Sequence, residues 1–166
     1  MGLFGIGGSR EEKMAWFILR KIQKHIANMI KRSDAFYSAI RRHPDKRAMI
    51  EDATGAAFIA YFITYLCFLF PENAADLTFD ILFHMNSNLR QLIEDCAKYE
   101  FDETEYQQYD ANDIVKIKCA SWLSCRIGLL MDFHASDYSS WREQSFMHEC
   151  VFVASDVIAF KDKFIG

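Results

Sequence analysis

Lys13, Arg20, Lys24 and Lys31 follow one another at steps of seven, four and seven residues. On a helix with 3.6 residues per turn these steps place all four cations in one narrow arc, with Phe17 close beside it. A line of cations can follow phosphates, an anionic membrane surface or an acidic protein. It can equally be a solvated face, or one balanced by acidic residues of the same chain. Opposite the stripe lies an apolar arc of Ile18, Leu19, Ile22, Ile26, Met29, Ile30, Phe36, Tyr37 and Ile40. The stripe is therefore the outer side of an amphipathic helix.

Arg126 is the second residue with chemical potential. In a helix it projects from an apolar side, beside Val115, Trp122, Leu130 and Phe133. A guanidinium in such a place needs a carboxylate or an aromatic face. Trp122, one turn earlier, can offer cation–π contact; Glu51, Asp52 or a partner could offer the carboxylate. Without such an internal partner, Arg126 is a candidate anion-binding residue.

Arg142 and His148 are six residues apart in Arg-Glu-Gln-Ser-Phe-Met-His, and Arg20 and His25 are five apart. Both resemble the R-x(4–6)-H signature of HEPN-type ribonucleases, over those few residues alone. The resemblance implies an all-helical fold in which arginine and histidine stabilise phosphate charge and move protons at a dimer interface. A regular helix opposes it, since six residues turn the two side chains about 120° apart.

Metal and cofactor chemistry has no comparable signal. Cys119 with Cys125, and His148 with Cys150, do not have zinc-ligand spacings. No Gly-rich phosphate loop, nucleophile elbow or Cys-x-x-Cys motif occurs, so the reading implies no cofactor and no metal.

The elements that must carry these residues are helices. Half of the 166 residues are hydrophobic and 15% are aromatic, while prolines number two and glycines seven. Such a chain can bury a large core and has few turn residues, which points to a single all-α domain. Ser9-Arg10-Glu11-Glu12 and Ser140-Trp141-Arg142-Glu143 are capping boxes that start helices. The pattern predicts five helices: from Ser9 to about Ser33 or on to Arg42, then about 45–70, 73–98, 112–134, and from Ser140 to about Lys163. The apolar inward residues of the last are Phe146, Cys150, Val153, Ala154, Val157 and Ile158. The acidic, aromatic stretch from Tyr99 to Asp113 is expected to be a surface loop, and residues 1–8 a flexible arm. Ile6 stands where a myristoylation site needs Ser or Thr.

The second of these helices decides the architecture. Ala53–Phe70 runs eighteen residues without a charge, enough for a membrane span and equally what a fully surrounded core helix needs. Its small residues, Ala53, Ala56, Ala57, Ala60, Thr64 and Cys67, share one arc, and bulky residues cover the rest. No second stretch compares with it. The expectation is a bundle of residues 9–166 around this central helix, with a membrane-associated protein as the alternative.

Charge is divided along the chain: residues 1–50 carry a net +7 and residues 51–166 a net −11. Five scattered cysteines suggest reduced thiols and a cytoplasmic setting. Together these features lead to an expectation of a non-enzymatic protein-binding domain, of adaptor, inhibitor, immunity or chaperone type. It would use Lys13, Phe17, Arg20, Lys24 and Lys31, with the acidic aromatic loop as a second surface. The rival is a HEPN-like ribonuclease using Arg142 and His148. A nucleic acid is the less favoured partner of a net acidic chain, and association with a second copy is left open.

Overall fold

The computed structural model describes residues 8–32, 40–72, 74–131 and 139–166, and the side chains of these except at 130–131 and 139–144. Residues 40–42 are helical, and six longer α-helices are described: α1 (Arg10–Arg32), α2 (Arg47–Leu69), α3 (Ala74–Phe83), α4 (Ser87–Ala97), α5 (Ala111–Met131) and α6 (Ser139–Phe164). Short 3-10 turns occupy Pro44–Lys46 and Glu103–Tyr106, and the described residues contain no strand. Residues 1–7 of the expected arm, the residues Ser33, Asp34, Phe36 and Tyr37, and Phe133 lie outside the described residues.

The start of α1 follows from its capping box. Ser9 Oγ accepts from the Glu12 amide at 3.2 Å, and Glu12 Oε2 accepts from the Ser9 amide at 3.2 Å. Glu11 and Glu12 in the first turn and Lys31 and Arg32 in the last complement the helix dipole. Pro44 opens the turn before α2, and Pro71 follows its end, where the Phe70 amide bonds to the Leu66 carbonyl at 2.9 Å.

The helix expected over 73–98 is two helices. The amides of His84 and Met85 turn back to the carbonyls of Ile81 and Leu82 in 3-10 fashion. Asn86 is extended, and its side chain accepts from the Asn88 amide at 2.8 Å, which starts α4. Asparagine satisfies free amides at a helix start better than it serves a helix interior.

α2 is the central helix, in contact with α1, α3, α4, α5 and α6. Every residue from Ala53 to Ile63 is buried. The helix is long and apolar enough to cross a membrane, and 61% of its most apolar window is covered by the rest of the fold. Small residues set the close contacts: a Cβ on Gly55 would stand 3.3 Å from Ile26 Cδ1 and 3.7 Å from Ile22 Cγ2, so α1 rests against the α2 backbone there. The bulky side fills space by ring packing. Phe58 stacks on Phe146 with centroids 4.6 Å apart, and Phe62 meets Phe160 edge-on at 5.5 Å. Tyr61 is fully buried and donates to Asn112 Oδ1 at 2.9 Å, so its hydroxyl keeps a partner in the core.

Candidate functional site

α1 carries cations on two adjacent sides, and the fold treats them differently. Toward α6, Lys21 Nζ lies 3.9 Å from Asp156 Oδ1, and Arg32 Nη1 donates to Glu149 Oε2 at 3.0 Å. Facing outward, Lys13, Arg20, Lys24 and Lys31 are all exposed. Among the described residues Lys13, Lys24 and Lys31 have no ion pair, and Arg20 lies over the half-exposed Trp16 ring at 5.2 Å. Phe17 sits apart from this row. It is half-buried against Phe160 and Phe164, each 5.8 Å away, with the Lys21 and Lys163 ammonium groups 5.5 Å from its ring centre.

Behind the outer face is a polar cluster that the periodicity of α1 did not single out. His25 is buried between two carboxylates of α6: Nδ1 lies 2.7 Å from Glu149 Oε1, and Nε2 bonds to Asp156. Asn28 Nδ2 donates to the same Glu149 oxygen at 3.2 Å. Glu149 is fully buried, so His25, Asn28 and Arg32 supply the bonds that water would otherwise make. Burial pushes the His25 imidazole down, but its bonds to Asp156 and Glu149 and their charge outweigh this, and its pKa is raised. The cluster joins α1 to α6. With both ring nitrogens engaged, His25 has no free atom for proton transfer to a substrate.

One signal for the cluster was present. Glu149 and Asp156 are seven residues apart on α6, and Lys21, His25, Asn28 and Arg32 follow at steps of four, three and four on α1. The two rows match only once α1 and α6 are known to be neighbours.

Of the two arginine–histidine pairs, Arg20 and His25 are not brought together. Arg20 is exposed and stacked on Trp16, while His25 faces α6 from the buried side. His148 is exposed, its ring 5.9 Å from Phe152, and the Arg142 side chain lies outside the described residues. Arg126 is half-buried at a groove of about 310 Å³ that also exposes Met49, Asp52, Asn88, Gln91, Leu92 and Asp95. It makes neither the ion pair with Glu51 or Asp52 nor the ring contact with Trp122 that its position suggested. Glu51 bonds Arg47 at 2.9 Å instead. The Asp52 carboxyl is pushed up by burial and by the charge of Glu51.

The acidic stretch is exposed over Asp102–Glu105 and Gln107–Asp110. Asp102 caps the turn Glu103–Tyr106 through the Thr104 amide, and this bonding holds its carboxyl below the usual range. Phe101 stacks on Tyr106 at 5.1 Å, and Tyr109 follows at 6.0 Å. Among the described residues no group of three or more His, Cys, Asp or Glu side chains is arranged to hold a metal ion.

Fold and surface thus define a single-domain all-α bundle with an exposed basic face that has no ion pair among the described residues. No family model, curated protein or solved structure matches the chain.

Proposed function

We propose that the chain is a non-enzymatic protein-binding domain that docks an acidic protein surface on the outer face of α1. The observation that carries this is the sorting of the α1 cations. Lys21 and Arg32 are held by α6, whereas Lys13, Lys24 and Lys31, a step further round, have no ion pair among the described residues. Arg20 on Trp16 adds a cation and an aromatic surface already placed side by side. Such groups give a partner both steering and contact area. The exposed acidic loop around Phe101, Tyr106 and Tyr109 is a second surface of opposite charge. Five free thiols suit a reducing compartment such as the cytoplasm.

The test is retention of the purified chain on immobilised polyglutamate and on acidic proteins, against the double variant Lys13→Glu, Lys24→Glu. Retention by wild type should fall with added salt and be lost in the variant, with an unchanged circular dichroism melt. Retention insensitive to both changes, or a stronger competition by RNA than by the acidic polypeptide, would overturn the reading.

A further inference from the structure

The outer face of α6 is apolar where a surface helix is normally charged. His148, Val151, Phe152, Ser155, Ile158, Ala159 and Asp162 are all exposed, with Val151 at 55%, Phe152 at 43% and Ile158 at 48%. Their inward counterparts, Phe146, Cys150, Val153, Val157 and Phe160, are completely buried. Ile158, expected inward from its apolar character, belongs to the outer set. A helix that is apolar on both sides has burial to gain on both. We propose that the outer face is the seam of a symmetric homodimer, in which two copies of α6 pack antiparallel about Ser155.

The spacing of the face identifies a second copy as the occupant. His148, Val151, Ser155, Ile158 and Asp162 alternate steps of three and four, the pattern of a helix–helix seam, with Phe152 and Ala159 on its flank. The set is symmetric about position 155. A two-fold axis there sets Ser155 against its own copy, Phe152 against Ile158, Val151 against Ala159, and His148 against Asp162.

Each of these meetings is complementary. The small serine at the axis allows close approach, and its hydroxyl already has the Val151 carbonyl at 3.5 Å. Large side chains face smaller ones on either side. The face has no charged residue between its ends, and those ends bring a histidine to a carboxylate twice over. A parallel pairing would instead set Asp162 against Asp162. The seam from 148 to 162 is about 21 Å long. Arg32, over the Phe152 ring at 5.1 Å, borders it on the α1 side. The basic row of α1 is left outside the seam, so dimerisation and the binding of an acidic partner are separate events.

Sedimentation equilibrium of the full chain tests the mass, with a dimer expected at twice 19.3 kDa. Ser155→Lys places two like charges at the axis and should return the protein to monomer with its helical circular dichroism spectrum unchanged, since position 155 is exposed in the single chain. Cross-linking tests the direction independently. Val151→Cys with Ala159→Cys should give a covalent dimer under mild diamide oxidation, beyond any background that wild type shows through exposed Cys125. Val151→Cys alone should not, because an antiparallel seam keeps the two copies of residue 151 too far apart for a disulfide. A wild-type mass of 19.3 kDa at every concentration, a dimer that survives Ser155→Lys, or cross-linking by Val151→Cys alone as fast as by the pair would each overturn the proposal.

Discussion

His25 Nδ1 lies 2.7 Å from Glu149 Oε1 across the α1–α6 interface, and both side chains are buried. Asp156 holds the other ring nitrogen, so a protonated His25 donates to a carboxylate on each side. Among the described residues Lys21, Asn28 and Arg32 also bond or pair with the two carboxylates, and the buried Cys150 thiol lies near enough to feel the Glu149 charge. The histidine pKa is raised in the fold, so its contribution to stability is complete below the unfolded value of about 6.5. That contribution is lost as pH rises through the folded value. Urea denaturation of wild type and His25→Gln across this range should show a stability difference that shrinks with rising pH. A constant difference would mean that proton binding to His25 is not linked to folding.

The same cluster predicts an asymmetry between breaking and replacing. His25→Leu leaves Glu149 buried with Asn28 and Arg32 only, and should cost about 3 kcal/mol, as for removing one partner of a buried charged pair. Adding Glu149→Met should recover part of the loss, since an apolar pair no longer strands a charge. Chemical denaturation of the single and double variants measures both.

Neighbouring cations of α1 should separate in their effect on stability. Lys24→Ala and Lys31→Ala remove exposed side chains that have no ion pair among the described residues, and should change stability by less than about 0.5 kcal/mol. Arg32→Ala removes the bond to buried Glu149 and the Phe152 contact, and should cost roughly 1–2 kcal/mol after allowance for its partial exposure.

Gly55 tests how tightly α1 and α2 approach. An alanine Cβ would meet the end of the Ile26 side chain at 3.3 Å, which a small rotation relieves, and Ile22 Cγ2 at an ordinary contact of 3.7 Å, while the helix gains about 0.8–1 kcal/mol of propensity. Gly55→Ala is expected to be neutral to stabilising. Gly55→Leu must push α1 away and should cost about 1–3 kcal/mol through overpacking. Thermal and urea melts of the two variants decide the sign.

The thiols should divide by position. Cys125 is exposed and Cys67 half-buried, while Cys96, Cys119 and Cys150 are buried. Cys96 is pushed up by its bond to Cys119 and by burial, and Cys150 mainly by burial, which keeps both as unreactive thiols. Titration with a chromogenic disulfide should find Cys125 first, Cys67 more slowly, and the other three only after denaturant is added.

Local sequence determined the helices and the identity of the central one. Ser9 to Glu12, Pro44, Pro71 and the uncharged run from Ala53 to Phe70 act through bonds and sterics within a few residues, so their effects survive without knowledge of the fold. Asn86 was readable in the same way, as a cap that splits what periodicity alone joins. The clean segregation of α1 likewise placed Lys13, Arg20, Lys24 and Lys31 outward. Tertiary structure decided which cations are already paired, because Glu149 and Asp156 lie more than a hundred residues away from the α1 residues that they bind. It also decided that Ile158 faces outward. α6 is apolar on both sides, so periodicity cannot rank its two faces, and only the position of α2 against Phe146 and Phe160 fixes which one the core takes.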